Sequence, residues 1–333
     1  MRKRQHKSVE REVSQVKILF HAQCFDGFSS AAIFTQFYRQ CVDSNAEFTY
    51  ESLQHGTEDQ VLPQGLDADV NCIVDFRYVA DDRLHWWFDH HRTAFLDAGD
   101  QTHFEDRKTG QHFWDAAEPS CAGFMARVLT QEKNFDAAPM ADLIQWADYI
   151  DSAQYPDPKT VVDLDEPALQ LMSVLEHLTD PDLMRRTIDG LIHSTVRDVA
   201  MWPEMQTRFA SIKAKHDAAL DTVRSRARLL ADVVFVDMTG VSGPIYNKWF
   251  PYYLHPESTY VVVVTQGASR VRVYVGANPW RREQRRHNIA DICAQYGGGG
   301  HSVVGGVNLP LGHEMEARAI AEEIAVYLAA SAT

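Results

Sequence analysis

Three short apolar runs in the first third of the chain each stop at a polar residue, and this pattern limits the possible fold more than any other feature. The runs are Val16 to His21, Asn71 to Asp75, and Leu84 to Phe88, which Asp89 follows. Short apolar runs of this kind are typical of buried strands. Small and apolar residues at helical spacing follow the first run, from Ser29 to Arg39. Strands that alternate with helices predict an α/β fold whose N-terminal sheet is mainly parallel and flanked by helices.

The second part of the chain has a different pattern. Apolar residues recur at helical spacing from Met205 to Val223, which predicts a long amphipathic helix. Beyond it, the apolar run Tyr260 to Val264 and the alternating residues Val271, Val273 and Val275 predict two strands, followed by a last helix from Glu314 to Leu328. We therefore predict a helical linker and a smaller C-terminal α/β domain with a mixed sheet. The predicted divisions are a first domain over residues 1–195, a linker helix over 196–229 and a second domain over 230–333.

Composition excludes several classes of protein. The net charge of −14 makes this chain of 333 residues a poor partner for long duplex DNA. No apolar run approaches the length of about 20 residues that spans a bilayer, so we expect no membrane partner. The five cysteines are an odd number without a CxxC pair, which argues against a disulfide framework. Together with a charged N-terminus that lacks a signal-peptide core, this predicts a reduced, cytoplasmic protein.

Polar side chains that suit a metal ion follow the three predicted strands. They are His21 and Asp26 after the first run, Asp75 after the second, and Asp89, His90 and His91 after the third. The carboxyl ends of parallel strands meet at one edge of a sheet, where ligands collect. Carboxylate and neutral imidazole together suit divalent ions such as Mn²⁺. The triplet alone is equally consistent with an acidic surface turn, but its position after two other polar strand ends favours a metal site.

The order of these motifs resembles that of the DHH phosphoesterases. A His before an Asp-Gly pair, an Asp that ends a strand, the Asp-His-His triplet and a later Asp follow one another. The run Gly297, Gly298, Gly299, Gly300 and His301 also resembles the GGGH signature of the substrate domain associated with that family. The likeness covers nearly the whole chain after the first 15 residues or so, and it is greatest to nano-RNases and exopolyphosphatase-related proteins.

The resemblance implies roles for individual residues. Asp75 takes the place of the metal ligand that bridges two ions, and His90 that of a ligand to one of them. Asp89 and His91 take the places of groups that orient the ligands or the phosphate, and they form the catalytic triplet with His90. Asp26 and His21 match ligands of the first motif. Mn²⁺ is the expected ion, as one or two cations, with Mg²⁺ or Co²⁺ as alternatives.

Two further parts of the resemblance concern the fourth motif and the substrate. Asp151, followed by Ser152, matches the Asp-Thr pair of the family best, and Asp148 is the alternative ligand. The backbone of Gly297–Gly300 and His301 is expected to hold a phosphate of the substrate, assisted by Arg270 or Arg272.

Cys24 departs from the family pattern. The first motif, D-x-D-G, places an acid two residues before Asp26, and this chain has Cys24 there. Cys24 is then either a thiolate ligand or the mark of a weakened metal site. A weakened site means altered metal preference, a single-metal enzyme, or a protein that binds phosphate ligands without turnover.

The function implied by the resemblance is hydrolysis of a phosphodiester or phosphoanhydride bond by metal-activated water. We expect a small phosphorylated substrate, with a dinucleotide or short single-stranded oligonucleotide favoured. An exopolyphosphatase or pyrophosphatase and a non-catalytic phosphate-binding protein are the alternatives. The oligomeric state is open, with a homodimer as one option. The basic tract 281–286 after Trp280 is interpreted as a solvated loop, in preference to a surface that holds trailing phosphates while Trp280 stacks on a base.

Overall fold

The chain divides into two compact units in the computed structural model, which describes residues 13–54, 65–107, 109–241 and 247–330. Unit 1 comprises Met1–Gln154 and Pro167–Gln206, and unit 2 comprises Tyr155–Glu166 and Thr207–Thr333. The predicted divisions at residues 195 and 229 stay a prediction. None of the helices in the described ranges combines the length and the apolar character that crossing a bilayer requires.

Unit 1 is built on a parallel five-stranded sheet. Its strands are β1 Gln15–His21, β2 Glu47–Leu53, β3 Val70–Val74, β4 Leu84–Asp89 and β5 His112–Trp114. The order across the sheet is β2-β1-β3-β4-β5, and every neighbouring pair runs in parallel. In the register, Phe20 lies beside Val74 and Val74 beside Phe88. The polar residues that follow these three positions therefore come to the same edge, and the predicted parallel sheet is confirmed.

The α-helices of the described residues lie between and after the strands. They are α1 Phe25–Cys41, α2 Ala98–Asp106, α3 Cys121–Lys133, α4 Ala141–Asp151, α5 Pro158–Asp163, α6 Pro167–Leu175, α7 Pro181–His193, α8 Val196–Ala200, α9 Pro203–Arg226, α10 Phe250–Leu254, α11 Ile289–Ala294 and α12 Glu314–Ala330. The predicted long amphipathic helix is confirmed as α9. The first predicted helix begins earlier than its apolar spacing indicated, at Phe25 rather than Ser29, so Asp26 lies in its first turn and not in a loop.

Burial explains why α1 and β4 take these positions. Residues 25–35 of α1 are all buried, and their small side chains let the helix pack closely on α3, α4 and α7. In β4 the side chain of Trp87 is fully buried and donates its Nε1–H to the carbonyl of Phe76, 2.9 Å away. Both faces of this strand are covered, as expected for a central strand of a parallel sheet.

Unit 2 contains a mixed six-stranded sheet. Its strands are β6 Ala227–Leu230, β7 Val233–Asp237, β8 Tyr260–Gln266, β9 Arg270–Ala277, β10 Gly299–His301 and β11 Val304–Pro310, in the order β10-β11-β9-β8-β7-β6. Only β7 and β8 pair in parallel within this sheet. The buried face of α12, with Ala317, Ala321 and Ile324, packs against the valines of β8 and β9. The predicted α/β domain with a mixed sheet is confirmed.

Candidate metal centre

Asp75 lies at the centre of the polar edge of the unit 1 sheet. It follows β3 directly, and its backbone N–H donates to the carbonyl of Phe88 on the neighbouring strand, 3.0 Å away. Its φ angle of 54° is in the left-handed region, which non-glycine residues seldom adopt. The side chain is 1% exposed, and neither carboxylate oxygen has a hydrogen-bond partner among the described residues. A strained, buried carboxylate without such a partner indicates a functional site.

Asp26 reaches the same edge from the first turn of α1. Its two carboxylate oxygens accept hydrogen bonds from the backbone N–H groups of Cys121, at 2.7 Å, and Ala122, at 2.9 Å. These are the first amides of α3, and the N-terminus of a helix favours a negative charge. Sequence reasoning missed this contact. Its only signal was Ser120, whose side chain caps α3 by accepting from Gly123 N.

His90 points an unpaired ring nitrogen at three carboxylates. Its Nδ1 lies 3.1 Å from the carbonyl oxygen of Glu118, which can only accept, so Nδ1 carries the proton and Nε2 of the neutral ring has a lone pair. Nε2 is 3.3 Å from Asp151 Oδ2, 3.6 Å from Asp26 Oδ2 and 3.7 Å from Asp75 Oδ1. This nitrogen is buried and has no hydrogen-bond partner in the described part of the protein. The arrangement fixes the tautomer that a metal ligand requires.

Asp89 holds the two histidines of the triplet in place. Its Oδ1 accepts from the backbone N–H groups of His90, at 2.8 Å, and His91, at 3.3 Å, and also from His91 Nδ1 at 2.7 Å. The hydrogen bond with Asp89 raises the pKa of His91 to about 9. Asp89 therefore positions its neighbours, while the His91 ring stays partly exposed at the edge of the site.

The two candidates for the fourth motif occupy different surroundings. Asp151, the last residue of α4, lies beside His90, whereas Asp148 faces α3. Asp148 Oδ1 accepts from Ser120 Oγ at 2.6 Å, and its Oδ2 accepts from Arg127 Nη1 at 3.3 Å. The geometry thus brings Asp151 to the cluster and leaves Asp148 to link two helices.

Cys24 lies on the other side of Asp75 with His21. Among the described residues, three groups have ligand atoms that all lie within 4.8 Å of one another. They are His21, Cys24 and Asp75; Asp75, His90 and His91; and Asp26, His90 and Asp151. His21 Nδ1 is 3.3 Å from Asp75 Oδ2. Asp75 and His90 each belong to two of the groups, so the groups form one continuous cluster.

The cluster concentrates negative charge where water is excluded. Burial, and then the neighbouring carboxylate of Asp75, raises the pKa of Asp26 well above its usual range. Burial likewise raises the pKa of Asp75 and, to a lesser extent, that of Asp151. Burial and the adjacent carboxylates raise the pKa of the Cys24 thiol. Such crowding disfavours the ionised forms, and a bound cation reverses that effect.

The donor set fits a divalent cation. The buried, unpaired atoms of Asp75 and His90 are oxygen and nitrogen ligands, and the protonated Nδ1 of His90 is held from behind by a carbonyl group. Of the residues predicted for this site, His21, Cys24, Asp26, Asp75, His90, His91 and Asp151 come together, Asp89 supports them, and Asp148 turns away.

Unit 2 contains a separate cavity of about 460 Å³ around the glycine run. It is lined by Arg272, Gly297, Gly298, Gly299, Gly300, His301, Val304, Gly305, Gly306 and Asn308. At Gly300 the φ angle is +152°, and a Cβ atom would overlap the Val304 carbonyl, so only glycine fits there. The predicted phosphate residues therefore lie together with Arg272, but Arg270 is not among the lining residues. Asn308, which pairs with Arg272 across β9 and β11, was missed because no motif marks it.

Trp280 is used within unit 2. Its indole Nε1 donates to the carbonyl of Tyr155 at 2.7 Å, and its ring packs against Trp249 and Tyr252. Arg286 at the end of the basic tract pairs with Asp232 at 2.8 Å. These contacts favour the interpretation of this tract as ordinary surface structure.

Comparisons with solved structures locate the fold among known proteins. The chain is similar to a pGpG-specific phosphodiesterase, PggH, from Vibrio cholerae, with a TM-score of 0.67 at 18% identity, over 93% of this chain and 98% of that one. The chain has the fold of the DHH phosphoesterases. The likeness extends to the DHH domain of a protein described as a member of a family of ribosomal proteins, with a TM-score of 0.55 at 15% identity, over 93% of this chain and 86% of that one.

A third similar structure is that of the exonuclease RecJ bound to manganese, with a TM-score of 0.52 at 14% identity, over 95% of this chain and 91% of that one. No family model and no curated protein matched the chain. The resemblance predicted from the motifs is confirmed at the level of the DHH fold, which covers both units.

Proposed function

We propose that this DHH-fold protein is a metal-dependent phosphoesterase that hydrolyses a phosphodiester bond in a small phosphorylated substrate. The observation that carries the proposal is the buried donor set of Asp75 and His90, whose ligand atoms have no partner within the described part of the protein. What a divalent cation supplies at such a site is a lower pKa for water and neutralisation of charge on a phosphoryl group. Mn²⁺ is the ion we favour, because RecJ of the same fold binds manganese.

The residues around the ligands divide the remaining tasks. Asp89 holds His91 at the exposed side of the site, where an imidazole can donate a hydrogen bond to a phosphoryl oxygen. Asp26, held by two amides of α3, and Asp151 supply the carboxylates on either side of His90. In unit 2 we assign the binding of a substrate phosphate to the glycine run, His301 and Arg272, since backbone N–H groups and a guanidinium are common anion ligands.

A linear dinucleotide or short single-stranded oligonucleotide is the substrate we favour. The solved structure with the TM-score of 0.67 is that of a phosphodiesterase specific for pGpG, and the likeness covers 98% of that protein. A net charge of −14 also disfavours long polyanions, whose binding depends on many lysine and arginine contacts. All five cysteines are free thiols, which supports the cytoplasm as the place of action.

The test is hydrolysis of defined substrates by metal-free protein reconstituted with Mn²⁺, Mg²⁺ or Co²⁺. We expect pGpG to be converted to mononucleotides, which chromatography detects. We expect polyphosphate and pyrophosphate to remain intact. Phosphate release from polyphosphate alone would replace the proposal with an exopolyphosphatase. Tight binding of pGpG with no turnover under any of the three metals would replace it with a non-catalytic binding protein.

A further inference from the structure

Cys24 is an unusual residue for its position in the fold. It is the N-cap residue of α1, where Ser, Thr, Asp or Asn usually caps the first amides. The residue before it, Gln23, has a φ angle of 55°, a conformation that non-glycine residues adopt at a cost of about 1 kcal/mol or more. A thiol is a poor substitute for the usual caps, and a strained backbone presents it.

The side chains around Cys24 point instead to metal binding. Its sulfur, a ring nitrogen of His21 and a carboxylate oxygen of Asp75 lie within 4.8 Å of one another. The Asp75 carboxylate is 1% exposed, and neither of its oxygens has a hydrogen-bond partner among the described residues, so this buried acid supplies an independent sign that the group binds a cation. His21 and Asp75 are already close, with 3.3 Å between Nδ1 and Oδ2.

The two ends of the cluster differ in chemical softness. Asp26, Asp151 and His90 offer two carboxylates and one imidazole, a set that suits harder ions such as Mn²⁺ or Mg²⁺. Cys24, His21 and Asp75 offer sulfur, nitrogen and oxygen, and thiolate ligands select thiophilic ions such as Zn²⁺, Co²⁺ or Fe²⁺.

We propose that Cys24 is a thiolate ligand, which with His21 and Asp75 binds one thiophilic divalent cation, while the carboxylate-rich end takes a harder one. The inference rests on the proposed function only because Asp75 is a metal ligand in both. It makes the protein a mixed-metal enzyme whose two positions are distinguished by a single residue.

Cobalt spectroscopy on the metal-free full-length chain tests this directly. A thiolate bound to Co²⁺ gives an intense charge-transfer absorption in the near ultraviolet, and carboxylate and imidazole ligands do not. We expect titration with Co²⁺ to produce this band at a stoichiometry of one thiolate-bound ion per chain. The band should disappear in Cys24→Ser, while the visible absorption of Co²⁺ at the other end remains.

Two variants serve as controls. Cys121 lies in the same region, but its thiol donates to the carbonyl of Phe88. The band should therefore survive in Cys121→Ser. Cys24→Asp supplies the acid of the family motif. When the chain is loaded from an equimolar mixture of Zn²⁺ and Mn²⁺, elemental analysis should show a ratio of bound Zn²⁺ to bound Mn²⁺ about tenfold or more lower than in the wild type.

A wild-type chain that binds Co²⁺ without the charge-transfer band, or a band that persists in Cys24→Ser, would overturn the assignment. An unchanged metal ratio in Cys24→Asp would do the same. Either result could stand beside normal hydrolysis of pGpG, in which case only the thiolate assignment fails. If the wild-type chain shows the cobalt band but does not hydrolyse pGpG, the proposed function alone is refuted.

Discussion

At the scale of single residues, Asp75 combines three properties that disfavour folding unless a cation is bound. Its backbone is left-handed, its side chain is fully buried, and its carboxylate oxygens have no hydrogen-bond partner among the residues that the structure describes. Each of these costs on the order of 1 kcal/mol or more. A residue kept under such conditions is better explained by chemistry than by stability.

Replacing Asp75 with Asn should therefore separate activity from stability. We expect Asp75→Asn to abolish hydrolysis of pGpG, because one carboxylate would no longer serve both ends of the cluster. In the metal-free protein the same change should raise the thermal midpoint by about 2–4 °C, roughly 1 kcal/mol, since Asn tolerates left-handed backbone and removes charge repulsion. Calorimetry in a chelator, together with the activity assay, is the measurement. Retained activity or a lower midpoint would contradict this view of Asp75.

Asp151 and Asp148 provide a matched pair at the same scale. Asp151→Asn should reduce bound metal, measured by elemental analysis, since its carboxylate lies 3.3 Å from His90 Nε2. Asp148→Asn should leave metal content unchanged but lower the free energy of unfolding by about 1–2 kcal/mol, because Ser120 and Arg127 lose a charged partner. The reverse pattern would assign the fourth motif to Asp148.

The sequence predicted the members of this site better than their partners. His21, Asp75 and Asp89 were found because each ends an apolar strand, and parallel strands carry their ends to one edge. Asp151 was preferred to Asp148 only because Ser152 follows it, since residues three apart on a helix lie on similar faces and the helical pattern does not distinguish them. The amides of Cys121 and Ala122 were not predicted, since backbone groups bring no residue signature to a contact made across the fold.

At the scale of single elements, β9 carries two arginines that differ in position. Arg272 lines the cavity at the glycine run, whereas Arg270, two residues earlier on the same exposed side of the strand, is not among the lining residues. The family resemblance implied an arginine on this strand and left both as candidates, and the sequence does not show where along the strand the cavity lies.

The two arginine variants should consequently behave differently. We expect Arg272→Ala to raise the KM for pGpG by about tenfold, the loss of one charged hydrogen bond to phosphate. Arg270→Ala should change KM by less than about twofold. Steady-state kinetics on both variants decides the matter, and equal effects would show that the cavity does not bind the substrate phosphate.

The short strand β5 gives a pH-dependent prediction. Burial lowers the pKa of His112 to about 4, and the ring lies 3.3 Å from the Tyr78 hydroxyl. In the unfolded chain the pKa of His112 is about 6.5. Below that pH the unfolded chain takes up a proton that the folded chain does not, so the free energy of unfolding falls as the pH drops from 6.5 towards 4. Between pH 7 and pH 5 this amounts to about 2 kcal/mol.

Urea unfolding of unit 1 at pH 7 and pH 5 measures this effect. The loss of stability between the two pH values should be about 2 kcal/mol smaller in His112→Gln than in the wild type. His193→Gln, at the exposed end of α7, should keep the wild-type loss. Equal losses in all three proteins would show that His112 does not resist protonation in the fold.

At the scale of the whole molecule, charge and architecture limit the substrate together. Both units match the DHH fold, and one similar structure is that of a pGpG-specific phosphodiesterase, of which 98% is covered. With a net charge of −14, we expect no binding of long duplex DNA at physiological salt by fluorescence anisotropy. Tight, salt-sensitive duplex binding would contradict a small-substrate enzyme.

Part of the order of elements in each unit was predictable from the sequence, such as β1, β3 and β4 in unit 1 and α9, β8, β9 and α12 in unit 2, because apolar runs and helical spacing are local signals. Strands such as β2 and β5 were not predicted, since the first alternates irregularly and the second is only three residues long. The bounds of each unit could not be predicted from the sequence either. A segment as short as 155–166 belongs to unit 2 through packing rather than through any local pattern.

The central claim is that the cluster around Asp75 and His90 binds metal and uses it to hydrolyse a small phosphodiester. The most direct measurement is pGpG hydrolysis by the metal-free chain before and after addition of Mn²⁺, with Asp75→Asn alongside. We expect no turnover without metal, turnover by the reconstituted wild type and none by the variant. Turnover that is independent of metal, or that persists in Asp75→Asn, would contradict it.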